Sequence, residues 1–199
     1  RAWAQYSPMI LDTILQKETY NIGIDGSGIN RQISKYQIYR HYNNKPSIII
    51  QNIDFWTMEI TEGYERHQYF PYFWIPYIRK SVFPNEHFSY AEKMLPFYRY
   101  SHFGILNMFK EPRKLTKGYY GNDIPWDGTL LAKQDSISFE PQPEAIKLFE
   151  NYLMEAKDED IQVILVFAPM YTEATQKLQN IDEMYSFYSS VAEKYDAQI

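Results

Sequence analysis

The stretch SIIIQNIDF, residues 47–55, decides the fold. Three consecutive isoleucines, Ile48 to Ile50, make a short apolar run that is typical of a strand buried on both faces of a parallel sheet. The preceding residues, SGINRQISKYQIYRHYNN at 27–44, place apolar side chains at helical spacing, and Pro46 ends the helix because proline cannot continue one. A helix that leads into a buried strand indicates an α/β protein with a parallel sheet.

The same alternation continues on both sides of this unit. Upstream, SPMILDTILQKE (7–18) predicts a helix with Ser7 as N-cap and Pro8 at its first position, and TYNIGI (19–24) predicts a short strand. Three further elements are predicted downstream, a helix at 143–160, a strand at 161–169 and a long helix at 172–195, before a possible strand start at 196–199. The apolar stripes expected to face the core are Ile10, Leu11, Ile14 and Leu15 in the first helix, Ile29, Ile33 and Tyr36 in the second, Ile146, Phe149 and Leu153 in the third, and Leu178, Ile181, Tyr185 and Tyr188 in the last.

The middle of the chain is less regular. Residues 55–90 are aromatic and interrupted by prolines, and residues 110–141 are polar and rich in turns. Residues 89–110 follow a helical pattern despite Pro96. Because no repeat or linker divides the chain, we expect one domain over residues 1–199, in which 55–90 and 110–141 form an insertion or a rim over the end of the sheet.

Composition excludes several classes of function. The net charge of −5 argues against binding to nucleic acid, whose phosphates require a basic face. The absence of cysteine excludes disulfides, a cysteine nucleophile and thiolate metal sites. The four histidines show no metal-ligand spacing, and we predict neither a metal nor another cofactor. No apolar run approaches the ~20 residues that span a membrane.

Three of the eight glycines lie in YNIGIDGSGIN, residues 20–30, where the predicted strand meets the next helix. Glycine at such a junction either makes a tight turn or lets another group approach the backbone, and both explanations stay open. The spacing is not the G-x-G-x-x-G of dinucleotide-binding turns, and no Gly-Lys-Ser/Thr follows as in a phosphate loop. Ligands of parallel α/β sheets bind beyond the carboxyl ends of the strands, which is where Gly23, Gly26 and Gly28 are expected.

These blocks resemble the SGNH (GDSL-like) hydrolases in an ordered series. YNIGIDGSG resembles the family's second block, Asn-x-Gly-x-x-Gly, and Gly26 falls where the family uses a glycine N–H in the oxyanion hole. SIIIQNIDF resembles the third block, Gly-x-Asn-Asp after a strand, with Asn52 at the glycine position and Asp54 at the oxyanion asparagine position. VILVFAPMYTEA resembles a later strand that ends in proline before a helix. The resemblance implies a three-layer α/β/α domain with a mainly parallel, flavodoxin-like sheet.

The resemblance is strongest to a cell-envelope branch, which includes the alginate O-acetylation and D-alanyl-lipoteichoic acid biosynthesis proteins. In that branch Gly-x-Ser comes immediately before a sequence such as the initial RA, so the nucleophilic serine is expected upstream of Arg1. The family's Asp-x-x-His block is expected downstream of Ile199. Ser27, on the glycine turn, is the best alternative nucleophile within the chain, although it is read more simply as the N-cap of the second helix.

The third block departs from the family pattern at its donor. An ionised aspartate cannot donate a hydrogen bond to an oxyanion, whereas an asparagine amide can. Either Asn52 supplies the donor in a shifted register, or Asp54 has another role, such as orienting a ligand hydroxyl or capping the turn after the strand. The aromatic side chains of Tyr119, Tyr120 and Trp126 are candidates for stacking on a sugar ring.

The resemblance therefore implies an ester hydrolase or O-acyltransferase that acts through a serine acyl-enzyme on an acylated glycan or envelope polymer. The implied location is extracytoplasmic, in the bacterial cell envelope or periplasm. The alternative is a non-catalytic carbohydrate-binding or envelope assembly protein on the same scaffold, because Asp54 departs from the catalytic pattern and fold does not fix function. A flavodoxin-like domain with another ligand is a third reading.

Overall fold

The computed structural model describes residues 5–24, 26–61, 66–83, 115–121, 136–169 and 175–199. Their elements are α1 (Pro8–Leu15), α2 (Ile29–Tyr42), β1 (Ile48–Ile53), a 3-10 helix (Arg66–Tyr72), α3 (Pro76–Val82), α4 (Pro143–Asp158), β2 (Gln162–Phe167) and α5 (Ile181–Tyr195). The helix predicted at 89–110 and most of the segment 110–141 lie outside the described residues.

The sheet is parallel, as the alternation of helices and strands predicts. β1 pairs with β2 in register from Ile48 opposite Gln162 to Ile53 opposite Phe167. On the other side of β2, Gln198 N–H donates to the Val163 carbonyl at 2.9 Å, so the last residues begin the strand pairing expected there. The chain is thus of the α/β class, and the part that the structure describes contains a small two-stranded parallel sheet among mixed helices.

The main core lies between the sheet and helices α2, α4 and α5. Phe149 and Leu153 of α4 are buried as predicted, and Ile146 packs against them. Tyr188 of α5 is fully buried, with its ring 6.1 Å from that of Phe149 in an edge-to-face arrangement. The predicted inward face of α2 is also confirmed, since Ile29, Ile33 and Tyr36 are buried.

Segment 55–90 contains more regular structure than its composition indicates. The 3-10 helix and α3 pack on α2 through a second cluster, whose buried members are Ile38, Tyr69, Ile75, Ile78, Val82 and Phe83. The Tyr69 hydroxyl donates to the Arg31 carbonyl at 3.2 Å. Pro76, read as an interruption, stands at the start of α3, where its missing N–H costs no helical hydrogen bond.

Two predictions about element boundaries are wrong. Residues 19–24 form no strand among the described residues. The Asn21 N–H donates to the Lys117 carbonyl at 2.9 Å instead of pairing with a neighbouring strand. The helix predicted at 172–195 is not continuous, because residues 176–180 are not helical and α5 begins at Ile181. Asn180 before it adopts a left-handed φ of 35°, and its side-chain amide donates to the Phe139 carbonyl and accepts from the Phe139 N–H.

Helix α1 forms where it is predicted but does not bury its predicted stripe. Ser7 occupies the N-cap position without a side-chain capping bond, and Pro8 is the buried residue of this helix. Ile10 and Ile14 are 62% and 69% exposed. Helical periodicity therefore identifies the element correctly but not its packing.

The buried tyrosines generate a prediction about alkaline pH. Burial raises the pKa of Tyr77 to about 12 and raises the pKa of Tyr152 and Tyr188 further. A raised pKa keeps the folded phenol neutral, so this contribution to stability is full below the unfolded pKa of about 10 and is lost as pH rises through the folded values. We expect tyrosinate absorbance to rise in two steps, the later one coinciding with loss of circular dichroism. Tyr152→Phe should reduce the late step, and a single step near pH 10 without unfolding would contradict the expectation.

Candidate functional site

A broad cleft of about 1940 Å³ follows one edge of β1. Five successive residues, Ile48 to Asn52, line it, although neighbouring strand residues point to opposite faces of a sheet. No residue of β2 lines it. The cleft therefore runs along the backbone edge of β1 that faces away from β2, and α1, the segment 19–24 and α2 contribute its other walls.

Four residues predicted from the sequence line this one cleft. Asn52 and Asp54 stand at the carboxyl end of β1, and Gly26 and Ser27 stand on the turn before α2. Tyr6, which the sequence did not single out, lines the same end. The arrangement agrees with the rule that ligands of parallel sheets bind beyond the carboxyl ends of the strands.

The side chain of Asn52 is held in one orientation. Its Oδ1 accepts a hydrogen bond from the Tyr6 hydroxyl at 3.0 Å. Because the amide is planar, fixing the oxygen also fixes the Nδ2 group, which carries the two donors. Among the described residues Nδ2 has no hydrogen-bond partner, so Asn52 offers a donor to the cleft.

Asp54 caps the turn that follows β1. Its Oδ1 accepts from the Trp56 N–H at 3.0 Å, from the Thr57 N–H at 2.8 Å and from the Thr57 hydroxyl at 2.9 Å. This is the capping role that was one of the alternatives for this residue. A carboxylate oxygen occupied by three donors from its own turn holds the backbone in place and supplies no donor to a ligand.

Gly28 and Gly26 have different structural roles. A Cβ at Gly28 would lie 1.9 Å from the Glu59 carbonyl oxygen, so glycine is required there for the close approach of the turn after β1. The Gly28 N–H donates to the Thr61 hydroxyl at 2.7 Å, which fixes that approach. Gly26 has φ +57° and nothing within 4 Å of a Cβ position, so it makes a left-handed turn whose side is open to the cleft.

Ser27 is not the N-cap of α2, which was the simpler explanation for it. The N-cap of α2 is Gly28 and not Ser27, because the helix begins at Ile29. The Ser27 hydroxyl oxygen is buried and has no hydrogen-bond partner in the described part of the chain. A serine nucleophile needs a base within hydrogen-bond reach, and no histidine is among the described residues that line the cleft.

The remaining candidates that the structure describes do not line the cleft. Tyr119 bridges Thr116 in a tight turn, and neither Tyr119 nor Tyr120 lines the cleft. Trp126 lies outside the described residues. His41 is exposed near the end of α2. Within the described ranges, no three acidic or histidine side chains are grouped to hold a metal ion, and no helix is long and apolar enough to cross a bilayer.

A hydrogen bond between two glutamine amides, one buried and one half-buried, links the carboxyl half of β1 to α2. Gln51 is 9% exposed, and its Nε2 donates to Gln32 Oε1 on α2 and to the Asn52 carbonyl. Sequence analysis passed over this residue, although a polar side chain inside the apolar run IIIQNI was the signal for it. These hydrogen bonds tie the strand that carries Asn52 to α2.

Comparisons with known proteins return no relative. A scan of protein families found none that matches the chain, and searches of curated proteins and of solved structures found no match either. Inference about function therefore depends on the geometry of the cleft and on the resemblance of the sequence blocks.

The contact at Gly28 predicts the cost of a side chain there. Gly28→Ala forces the Glu59 carbonyl, a backbone group, to move, and overpacking of this kind costs about 1–3 kcal/mol. We expect a lower urea midpoint with an unchanged m-value. Gly121→Ala is the matched control, since its nearest atom would be a Tyr119 side-chain carbon at 3.4 Å, and it should change stability by less than about 0.5 kcal/mol. Equal midpoints for the two variants would contradict this account.

The capped turn predicts a second stability effect. Asp54→Ala removes the acceptor of three hydrogen bonds, and hydrogen bonds to a charged group contribute about 1.5–3 kcal/mol. We expect a loss of that order in the free energy of unfolding, measured by urea denaturation, and a smaller loss in Asp54→Asn, which keeps an Oδ1 acceptor. Asp158→Ala is the control because Asp158 is exposed at the end of α4, where a negative charge opposes the helix dipole. A stability unchanged in Asp54→Ala would refute the capping role.

Proposed function

We propose that the cleft is the oxyanion side of an SGNH-type acyl-transfer site. The described elements would then belong to a three-layer α/β/α domain that hydrolyses or transfers an acyl ester on a glycan or envelope polymer, outside the cytoplasm of a bacterium. One observation carries the proposal. The Asn52 amide, oriented by the Tyr6 hydroxyl, offers its Nδ2 donor to the same cleft that the Gly26 turn lines.

The chemistry requires donors where negative charge develops. When a serine oxygen attacks an acyl carbonyl, the carbonyl oxygen becomes an oxyanion, and preorganised N–H groups stabilise it. The Gly26 backbone N–H and Asn52 Nδ2 are two such neutral donors, and Asp54, occupied by its own turn, is not a third. The resemblance places the attacking serine upstream of Arg1 and the Asp-x-x-His base downstream of Ile199.

A non-catalytic carbohydrate-binding role is the second candidate, and one observation favours it. Trp56 is 44% exposed and lines the cleft beside Asp54. An indole face exposed next to hydrogen-bonding groups is suited to stack on a sugar ring. On this reading the same cleft holds a glycan without breaking a bond.

Labelling of the complete gene product with a fluorophosphonate separates the two candidates. We expect an adduct on a serine upstream of Arg1, mapped by peptide mass spectrometry. Asn52→Ala and the isosteric Asn52→Asp should lower kcat for ester cleavage by about 10²–10³, which is the usual cost of one lost oxyanion donor. Asn151→Ala, an exposed asparagine on α4, is the control and should leave kcat unchanged.

The other outcomes are informative. An adduct on Ser27 would move the nucleophile into the chain and overturn the assignment of the upstream serine. No adduct on the folded protein would exclude the esterase and favour binding. In that case glycan titration should quench tryptophan fluorescence in the wild type and not in Trp56→Ala.

A further inference from the structure

A continuous set of hydrogen bonds joins the glycine turn to the end of β1. The Gly23 N–H donates to Asn21 Oδ1 at 2.9 Å, and Asn21 Nδ2 donates to the Tyr6 carbonyl at 2.9 Å. The Tyr6 hydroxyl then donates to Asn52 Oδ1 at 3.0 Å. Residues far apart in the sequence, on the two sides of the cleft, are thereby connected by three hydrogen bonds.

The connection reaches Asn52 directly and the chain leading to Gly26 at Gly23. Gly26 stands three residues after Gly23, on the turn whose start Asn21 holds, and Asn52 has its amide oriented by Tyr6. We propose that Tyr6 and Asn21 are positioning residues that fix the separation and orientation of the Gly26 N–H and Asn52 Nδ2. The inference rests on the proposed function and assigns roles to two residues that touch no substrate.

The surroundings of Tyr6 keep its hydroxyl in the donating form. Burial, and then the negative charge of Asp54, raise the pKa of the Tyr6 phenol. In the structure the Tyr6 hydroxyl donates to Asn52 Oδ1, and Asp54 Oδ1 accepts from Trp56 and Thr57 instead. The Tyr6 hydroxyl therefore donates to Asn52 throughout the physiological range of pH.

Asn21 is suited to its place for a different reason. Its uncharged amide accepts from a backbone N–H through Oδ1 and donates to a backbone carbonyl through Nδ2 at the same time. Its own N–H donates to the Lys117 carbonyl, which anchors it to the segment 115–121. A Cβ at Gly118 would lie 1.9 Å from the Asn21 carbonyl oxygen, so this segment is packed tightly on Asn21.

The test uses Tyr6→Phe in the complete gene product, which keeps the ring and removes only the hydroxyl. We expect kcat for ester cleavage to fall about tenfold, part of the 10²–10³ that loss of a whole donor costs, with KM changed less than about twofold. Tyr185→Phe, at a partly exposed tyrosine of α5, is the matched control and should leave both constants unchanged. Asn21→Asp, which keeps Oδ1 and loses the Nδ2 donor, should behave like Tyr6→Phe and serves if that variant does not fold.

A double-mutant cycle decides whether Tyr6 acts through Asn52. In an Asn52→Ala background, Tyr6→Phe should lower kcat no further, whereas additive losses would overturn the proposal. A measurement without activity is also available. The Asn52 side-chain NH₂ resonances, assigned by their loss in Asn52→Asp, should shift in Tyr6→Phe and not in Tyr185→Phe. Unshifted resonances would overturn the positioning role, even if the enzyme is active. Shifted resonances in a protein that the fluorophosphonate does not label would support the positioning role and refute the esterase.

Discussion

The turn after β1 is the constraint on which the rest of the structure depends. A strand that ends inside a protein leaves backbone groups that must find partners, and here those groups meet the beginnings of two helices. The Thr57 carbonyl accepts from the Ile29 N–H at the start of α2, and the Met58 carbonyl accepts from the Gln142 N–H before α4. The Asp54 carbonyl accepts from the Tyr188 hydroxyl of α5. One capped turn thus fixes the sheet against three helices.

Strongly periodic segments are where sequence and structure agree. The buried faces of α2 and α4, and the parallel pairing of β1 with β2, follow from the spacing of apolar residues, because these elements bury one face against a common core. The failures occur where side chains compete for backbone groups. Asn180 and Asn21 each form a hydrogen bond to the backbone of a residue far away in sequence. Asn180 lies directly before the start of α5, and Asn21 lies where a strand was predicted. Propensity cannot show such partners, which lie far away in sequence.

The candidate site likewise contains residues that the sequence pattern indicates and one that it does not. Gly26, Asn52 and Asp54 were identified because each stands at a fixed offset within a local block, and the blocks follow elements whose order determines where they meet. Tyr6 gave no signal, because its partner Asn52 is 46 positions away and a lone tyrosine before a helix has many uses. The roles of Asn52 and Asp54 were also undecided in sequence. Hydrogen bonds distinguish the two side chains, since Asp54 Oδ1 accepts from its own turn and Asn52 Oδ1 accepts from Tyr6.

The edge of β1 along the cleft has a consequence for association between copies of this polypeptide. Among the residues that the structure describes, β1 pairs on one side only, and its other edge presents N–H and C=O groups beside an isoleucine run. Such an edge is a template for any extended chain that aligns with it. Lys45 and Pro46 precede this strand and discourage pairing at its amino end, but no charged residue lies within Ile48 to Ile50. Left uncovered, this edge is where association between copies, and finally aggregation, would begin.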